Sequence, residues 1–154
     1  MDRHFFLVAD GHGGAEVAER AQTLSQAGAA PGLSVVLVGD DPASHVYVGR
    51  KEKAALKAGI RGATHRLPES ATTEEVLALV HSLNNDPAVH GILVQLPLPA
   101  AVDTDLVLDA VHPSKDVDGF HPANVGLLAS GLDAIAPCTP SGIMRILEEY
   151  GVDC

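Results

Sequence analysis

Strands and helices alternate in the pattern of hydrophobic and polar positions along this chain. An almost unbroken apolar run at residues 33–39 predicts a strand buried on both faces, as in a parallel sheet. Weak alternation at residues 63–68 and a second apolar run at residues 89–97 predict two more strands. Helical spacing over residues 41–59 and 75–86 separates them. This order predicts a small, mostly parallel sheet with helices on both faces, a three-layer α/β/α sandwich.

The first 28 residues give weaker signals. Residues 5–9 favour a short strand, and residues 10–14 favour a turn that leads into a helix over residues 15–28. A glycine-rich turn can also cradle a phosphate with its backbone N–H groups. Glu16 stands where the pattern G-x-G-x-x-G has its third glycine, so we favour the plain turn.

Capping signals mark three helix starts. Thr72 and Glu75 have the spacing of a capping box before the helix over residues 75–86. Asp103 is a good N-cap for a short helix over residues 103–111. Near the end of the chain, Thr139 followed by a proline predicts the start of a last helix.

One lysine departs from the amphipathic pattern of the helix over residues 41–59. Pro42 cannot lie inside a helix and Ser44 is a good N-cap, so this helix is predicted to begin at Ser44. At about 100° per residue, Tyr47 and Lys51 fall on the apolar side together with Ser44. The other basic residues fall on the opposite side: Arg50, Lys53 and Lys57.

Two interpretations of Lys51 stay open at this point. Desolvation disfavours the charged form of an ammonium group, so a buried lysine can donate and accept protons near neutral pH. Tyr47, one turn earlier, can then hydrogen-bond Lys51 and hold its rotamer. Alternatively, Lys51 extends to the helix edge beside a core tyrosine and has no chemical role.

Polar residues follow the predicted strands at the carboxyl edge, where parallel sheets bind ligands. Gln95 closes the apolar run at residues 89–97, and its amide can hold a water or a heterocycle, or satisfy loop backbone groups. Asp116 and Asp118 lie close together in the loop at residues 113–122, but no further oxygen ligands follow at the spacing of a calcium loop. We therefore favour a carboxylate that accepts two parallel hydrogen bonds from an aminopyrimidine-like ring.

Composition narrows the class of protein. The 154 residues, 46% of them hydrophobic, are expected to form a single globular domain over residues 1–154. A formal net charge of −10 argues against nucleic acid and anionic membranes as partners. Two cysteines, no long apolar run and no secretory start lead us to expect a cytoplasmic protein. The eight histidines lack zinc-binding spacing, so no metal site is predicted.

Four motifs occur in an order that resembles a known enzyme family. They are Ser44-x-x-Tyr47-Val48-x-x-Lys51-x-Lys53-Ala54, GILVQLPLP at residues 91–99, KDVDG at residues 115–119 and Pro137-Cys138-Thr139-Pro140-x-Gly142. Over about residues 30–150 the chain resembles the bifunctional methylenetetrahydrofolate dehydrogenase/methenyltetrahydrofolate cyclohydrolase family. The resemblance implies oxidation of methylenetetrahydrofolate with NADP as the cofactor, hydrolysis to formyltetrahydrofolate, and a homodimer.

The resemblance also implies a role for each matching side chain. Lys51 is implied as the catalytic lysine, with Tyr47 as its partner at the folate ring and Gln95 as the glutamine that works with it. Asp118 is implied to grip the pterin ring, and Ser44 joins the substrate-binding set. No residue of this chain is implied to bind NADP or a metal.

The chain departs from the family pattern in two ways. His12 stands where the family has a lysine after Asp-Gly, so the first 30 residues are only loosely similar. The family continues into an NADP-binding Rossmann domain, so we expect this chain to be the catalytic half, with residues 139–150 as the connecting helix. Two alternatives stay open: a folate-binding or interaction module without turnover, and the N-terminal domain of an amino-acid-dehydrogenase-like enzyme of similar architecture.

Overall fold

A three-stranded parallel sheet forms the middle layer of the fold. The computed structural model describes residues 14–152 of the chain. The strands are β1 (Gly32–Val38), β2 (Arg61–Leu67) and β3 (Gly91–Val94), in the order β2-β1-β3 across the sheet. β1 pairs in parallel with both neighbours, so it is the central strand. The strand predicted at residues 5–9 lies outside the described residues, as do residues 10–13 of the turn predicted at residues 10–14.

Within residues 14–152 the chain forms six helices. They are α1 (Gly14–Gln26), α2 (Pro42–Lys57), α3 (Thr73–Asn85), α4 (Thr104–Ala110), α5 (Pro122–Ala129) and α6 (Cys138–Glu149). None of these helices has the length and apolar character needed to cross a lipid bilayer.

The side chains of β1 alternate between two cores. Val36 and Val38 pack into a cluster with α3 and α4, whereas Val35 and Leu37 pack against Val48 of α2 on the other face. The two cores lie on opposite faces because successive side chains of a strand point in opposite directions. This arrangement confirms the predicted α/β class and its layers.

The capping signals at α3 and α4 are confirmed. Glu75 N donates to Thr72 Oγ1 at 3.3 Å, and Thr72 N donates to Glu75 Oε2 at 2.9 Å, which completes the capping box. Asp103 Oδ1 accepts from Leu106 N at 3.1 Å and caps α4. Side-chain oxygens thus satisfy N–H groups that have no partner inside the helix.

The predicted N-cap of α2, Ser44, was wrong by three residues. The helix begins at Pro42, and the N-cap is Asp41, whose carboxylate accepts from Ser44 N at 2.7 Å. Proline is tolerated in the first turn because the N–H that it lacks would have no helical partner. Ser44 therefore lies inside the helix, where it is buried.

The last two helices also differ from the prediction. α6 begins at Cys138 with Pro137 as its N-cap, so the predicted N-cap Thr139 was wrong. α5 was not predicted at all. Asn124 is its only residue of the buried class, while its apolar residues are exposed, so no amphipathic period marks this helix in the sequence.

Lys115 ties the loop after α4 to the end of α3. Its Nζ donates to the backbone oxygens of Leu83 at 3.0 Å, Asn84 at 2.7 Å and Asp86 at 2.9 Å. The last carbonyls of a helix lack helical partners, and a positive charge there is favoured by the helix dipole. Lys115 thus fixes the start of the loop that contains Asp118.

Replacing Lys115 by methionine keeps the length of the side chain and removes all three hydrogen bonds. We expect the free energy of unfolding to fall by about 1–3 kcal/mol, since these bonds involve a charged donor. Urea denaturation measures the change, with Lys53→Met on the exposed side of α2 as the control. The control should stay within about 0.5 kcal/mol of wild type. An equally small change for Lys115→Met would show that its contacts do not stabilise the fold.

Candidate active site

Lys51 and Gln95 meet at the carboxyl edge of the sheet. Lys51 belongs to α2, which follows β1, and Gln95 comes directly after β3. Lys51 Nζ donates to Gln95 Oε1 at 3.4 Å, which is long for a hydrogen bond and therefore weak. The two residues are 44 positions apart in the sequence and are brought together by the parallel pairing of β1 with β3.

Hydrogen bonds fix both the backbone and the side-chain amide of Gln95. Its backbone N–H donates to Val36 O at 2.9 Å, which extends the pairing of β3 with β1 by one residue. Its side-chain Nε2 donates to Leu96 O at 2.8 Å. With Nε2 turned to the backbone, Oε1 is the atom that faces Lys51. The Leu96–Pro97 peptide bond that follows is cis.

The apolar side of α2 is narrower than the sequence suggested. Ser44 and Val48 are buried and Lys51 is half-buried, but Tyr47 is 58% exposed. Tyr47 is therefore not a core residue, and within the described part of the chain it makes no hydrogen bond to Lys51. The hydrogen bond between Tyr47 and Lys51 that the helical spacing allows is not formed in the structure; Lys51 Nζ donates to Gln95 Oε1.

Asp118 is the third polar side chain of this site. Burial raises the pKa of Asp118 to about 6 from its ordinary value of 3.8, while the positive charge of Lys51 acts in the opposite direction and the negative charge of Asp116 adds to the rise. Lys51 is therefore near enough to Asp118 for its charge to favour the ionised carboxylate. Asp118 changes its charge close to neutral pH.

Asp116 has a different environment from Asp118. It is 5% exposed, and its carboxylate accepts from Gly119 N at 3.0 Å, His121 N at 2.9 Å and Asn124 Nδ2 at 2.9 Å. In the sequence Asp116 stands out only as one of two neighbouring carboxylates, and no local pattern indicates this network. Within residues 14–152 there is no group of three or more His, Cys, Asp or Glu side chains that could hold a metal ion.

Gly119 closes the Asp118 loop against the segment before α6. Its φ is +68°, which favours glycine, and a Cβ there would lie 2.7 Å from Ile135 O and 2.9 Å from Pro137 N. Cys138 Sγ donates to Val117 O at 3.6 Å on the other side of Asp118. The loop is therefore packed against the start of α6.

The comparison with known proteins decides the family. The family model described as "Tetrahydrofolate dehydrogenase/cyclohydrolase, catalytic domain" matches residues 12–118, which is more than half of the chain. The chain belongs to this family. The resemblance drawn from the four motifs is thereby confirmed, and the alternative of an amino-acid-dehydrogenase-like domain is not supported.

Individual relatives of the family agree with this assignment. The bifunctional protein FolD of Campylobacter curvus is 58% identical over 139 residues, which are 90% of this chain and 48% of that protein. The crystal structure of the bifunctional enzyme FolD, a methylenetetrahydrofolate dehydrogenase/cyclohydrolase from Campylobacter jejuni, superposes with a TM-score of 0.89 at 49% identity. That match covers 91% of this chain and 50% of the other.

A third member of the family was solved with a bound cofactor. The Trypanosoma brucei methylenetetrahydrofolate dehydrogenase-cyclohydrolase, complexed with NADP cofactor and inhibitor, superposes with a TM-score of 0.85 at 37% identity. The match covers 90% of this chain and 48% of that one. The chain thus spans about half the length of the relatives that it matches.

The raised pKa of Asp118 makes the stability of this family member depend on pH. In the unfolded chain Asp118 ionises near pH 3.8, whereas in the folded chain it ionises near pH 6. Stability is therefore lost as the pH rises from about 4 to about 6, and the loss persists above that range. We expect Asp118→Asn to be more stable than wild type at pH 7.5 by roughly 2–3 kcal/mol, with the gap closing toward pH 4.

Urea denaturation at a series of pH values measures this gap. Asp109→Asn, which changes an exposed carboxylate of α4, is the control and should differ from wild type by about 0.5 kcal/mol at most. A constant difference between Asp118→Asn and wild type from pH 4 to pH 7.5 would contradict the assigned pKa.

Proposed function

We propose that this chain supplies the folate-binding and catalytic half of a methylenetetrahydrofolate dehydrogenase/methenyltetrahydrofolate cyclohydrolase. The contact of Lys51 Nζ with Gln95 Oε1 is the observation that carries the proposal, and the charge of Lys51 also acts on the carboxyl of Asp118. Family membership supports it, since the matching family model is that of a catalytic domain. The proposal for the whole protein includes NADP as the cofactor of the oxidation, a homodimer, a cytoplasmic location, and α6 as the connection to the cofactor domain.

Asp118 binds the pterin ring of the substrate in this proposal. A carboxylate offers two acceptor oxygens, and the aminopyrimidine edge of a pterin offers two neighbouring N–H donors, so two parallel hydrogen bonds form. With a pKa of about 6, Asp118 is mostly ionised at pH 7 and loses this ability as the pH falls below 6. Tyr47 has an exposed ring that is available to stack on a planar group, and Ser44 supports the same helix from its buried position.

Lys51 transfers protons during the hydrolysis. Water adds to the electron-poor methenyl carbon, which forms a C–O bond and requires the water oxygen to lose a proton. Breaking one C–N bond then yields the formyl group and places a proton on the released nitrogen, with one proton released overall. Lys51 Nζ accepts and returns protons in these steps, while Gln95 Oε1 accepts a hydrogen bond from Nζ and orients it.

The described residues do not fit NADP. A dinucleotide is held by free N–H groups at the start of a helix that follows a strand. In residues 14–152 each such helix has its first turn occupied by a side chain: Asp41 at α2, the Thr72–Glu75 capping box at α3 and Asp103 at α4. The acidic groups among them would also repel a pyrophosphate.

The lack of fit to NADP among the described residues supports a second candidate function, a folate-binding module without turnover. A folate-binding module without turnover needs Tyr47, Gln95 and Asp118 but needs neither a cofactor nor a lysine that transfers protons. The two candidates differ in whether Lys51 is required for a reaction or only lies beside the ligand.

Replacing Lys51 by methionine separates the two candidates. The host is a chimaera in which this chain replaces the matching half of the Campylobacter curvus relative, so that a second half is present. We expect hydrolysis of methenyltetrahydrofolate, followed by its absorbance, to fall at least about 100-fold with an unchanged circular dichroism spectrum, since general acid–base groups contribute about 10²–10⁴-fold. Lys57→Met, exposed in the last turn of α2, should keep the parent rate.

The outcomes of this experiment are distinct. Hydrolysis at the parent rate in Lys51→Met would refute the catalytic role of the lysine. A parent chimaera that binds tetrahydrofolate but hydrolyses nothing would favour the module without turnover.

The 154-residue chain alone should not bind NADP, because within residues 14–152 the three helix starts that follow strands, those of α2, α3 and α4, are already capped by side chains. Isothermal titration calorimetry with NADP is expected to show no saturable heat, while a parallel titration with tetrahydrofolate shows that the folate site is formed. Saturable NADP binding in the low micromolar range would mean that the chain contains a cofactor site outside the helix starts considered above.

A further inference from the structure

Asp116 is a buried carboxylate that the proposed chemistry does not use. It lies two residues before Asp118 in the loop between α4 and α5, and it is 5% exposed. Burying an ionised carboxylate is costly unless hydrogen bonds and charges compensate it. The hydrogen bonds of Asp116 therefore indicate which structural role compensates for the cost of burying it.

Three N–H donors converge on this carboxylate from two parts of the structure. Gly119 N donates to Oδ1, while His121 N and Asn124 Nδ2 donate to Oδ2. The first two donors are backbone groups of the Asp118 loop, and the third comes from α5. Asn124, also buried, donates in addition to Pro113 O at 2.9 Å. One pair of side chains thus joins both ends of the loop to α5.

The other side of the loop is fixed to the sheet. Ile92 N donates to Lys115 O at 2.7 Å and Val117 N donates to Ile92 O at 3.4 Å, which forms an isolated parallel bridge beside β3. The side chain of Val117 is buried in the core under α2. Asp118 is therefore held between a backbone bridge on one side and the hydrogen bonds of Asp116 on the other.

We propose that Asp116, together with Asn124, is the positioning residue of the loop between α4 and α5 and holds the turn that contains Asp118. The inference rests on the proposed function, in which Asp118 binds the substrate. Asp116 is 5% exposed and its carboxylate is directed to three donors of the protein, so in this proposal it acts through the loop and not on the substrate.

Two effects of Asp116 on Asp118 can be separated by mutation. The charge of Asp116 raises the pKa of Asp118 after the larger effect of burial, and Lys51 opposes both. Asp116→Asn removes this charge and also places an amide NH₂ where an N–H donor approaches. Asn124→Ala removes one donor and keeps the charge. A change seen in Asn124→Ala therefore arises from the position of the loop.

The test uses the 154-residue chain with three variants. They are Asp116→Asn, Asn124→Ala and the control Asp103→Asn, which removes a carboxylate that accepts Leu106 N outside this loop. Three quantities are measured for each: hydrogen exchange of the Gly119 and His121 amides, the pH titration of the Asp118 carboxyl by NMR, and the affinity for tetrahydrofolate by calorimetry.

We expect both loop variants to change all three quantities. The two amides exchange at least about ten-fold faster because their acceptor is lost or loosened. The pKa of Asp118 moves down toward its ordinary value because a mobile loop exposes the carboxyl to water. The affinity for tetrahydrofolate falls about ten-fold. Asp103→Asn removes a carboxylate charge outside this loop but keeps the oxygen that caps α4, and it leaves the three quantities at their wild-type values.

One result overturns the inference. If Asn124→Ala lowers the unfolding free energy but leaves the Asp118 titration and the tetrahydrofolate affinity unchanged, Asp116 only stabilises the fold. Should Asp116→Asn fail to fold, Asn124→Ala decides alone, and Asn124→Ser takes its place if the alanine variant is unfolded. Normal binding of tetrahydrofolate by Asp118→Asn would refute the proposed function. Amide exchange and the Asp118 titration are measured without folate, so they still test the role of Asp116 in that case.

Discussion

The hydrogen bond from Gln95 N to Val36 O sets the place of the site. It continues the parallel pairing of β1 and β3 by one residue, so the alternation of side chains continues with it. Val94 points into the core under α3 and α4, and Leu93 points into the core under α2. Gln95 therefore points to the α2 side, where Lys51 lies. A slip of one residue in this register would turn the amide to the opposite face.

The loop at residues 115–119 contains two carboxylates that differ in their hydrogen bonding within the protein. Asp116 has three donors and is used entirely within the protein. Asp118 is partly buried without such compensation, which raises its pKa to about 6. A carboxylate whose hydrogen-bonding capacity is not used inside the protein is the one that can bind a ligand. The unfavourable burial of Asp118 is thus a cost in stability at the position where binding is proposed.

Local signals were sufficient for the sheet and for two of the helix caps. The apolar run of β1 and the Thr72–Glu75 box are complete within a few residues, so the sequence alone predicted them. The start of α2 was harder because Asp41 and Ser44 are both good N-caps and Pro42 is compatible with either as a neighbour. The exposure of Tyr47 could not be predicted from the arc of the helix alone.

The width of a buried face depends on what packs against it. Ser44, Val48 and Ala55 define the centre of the buried face of α2, and Tyr47 lies about 60° from Ser44 at its margin. Lys51 lies nearer to the centre and is half-buried. The sequence therefore placed Lys51 on the correct face of α2. Its hydrogen-bond partner, Gln95, could only be found from the pairing of β1 with β3.

The position of Asp118 depends on residues that are distant in the sequence. The loop touches Ile92 through the backbone bridge, Asn124 through Asp116, and Ile135 through the close approach of Gly119. Only the glycine is visible as a signal in the sequence, where Asp-Gly indicates a turn. This local signal gives no direction for Asp118. That direction is determined by the sheet, by α5 and by the segment before α6 acting on the same five residues.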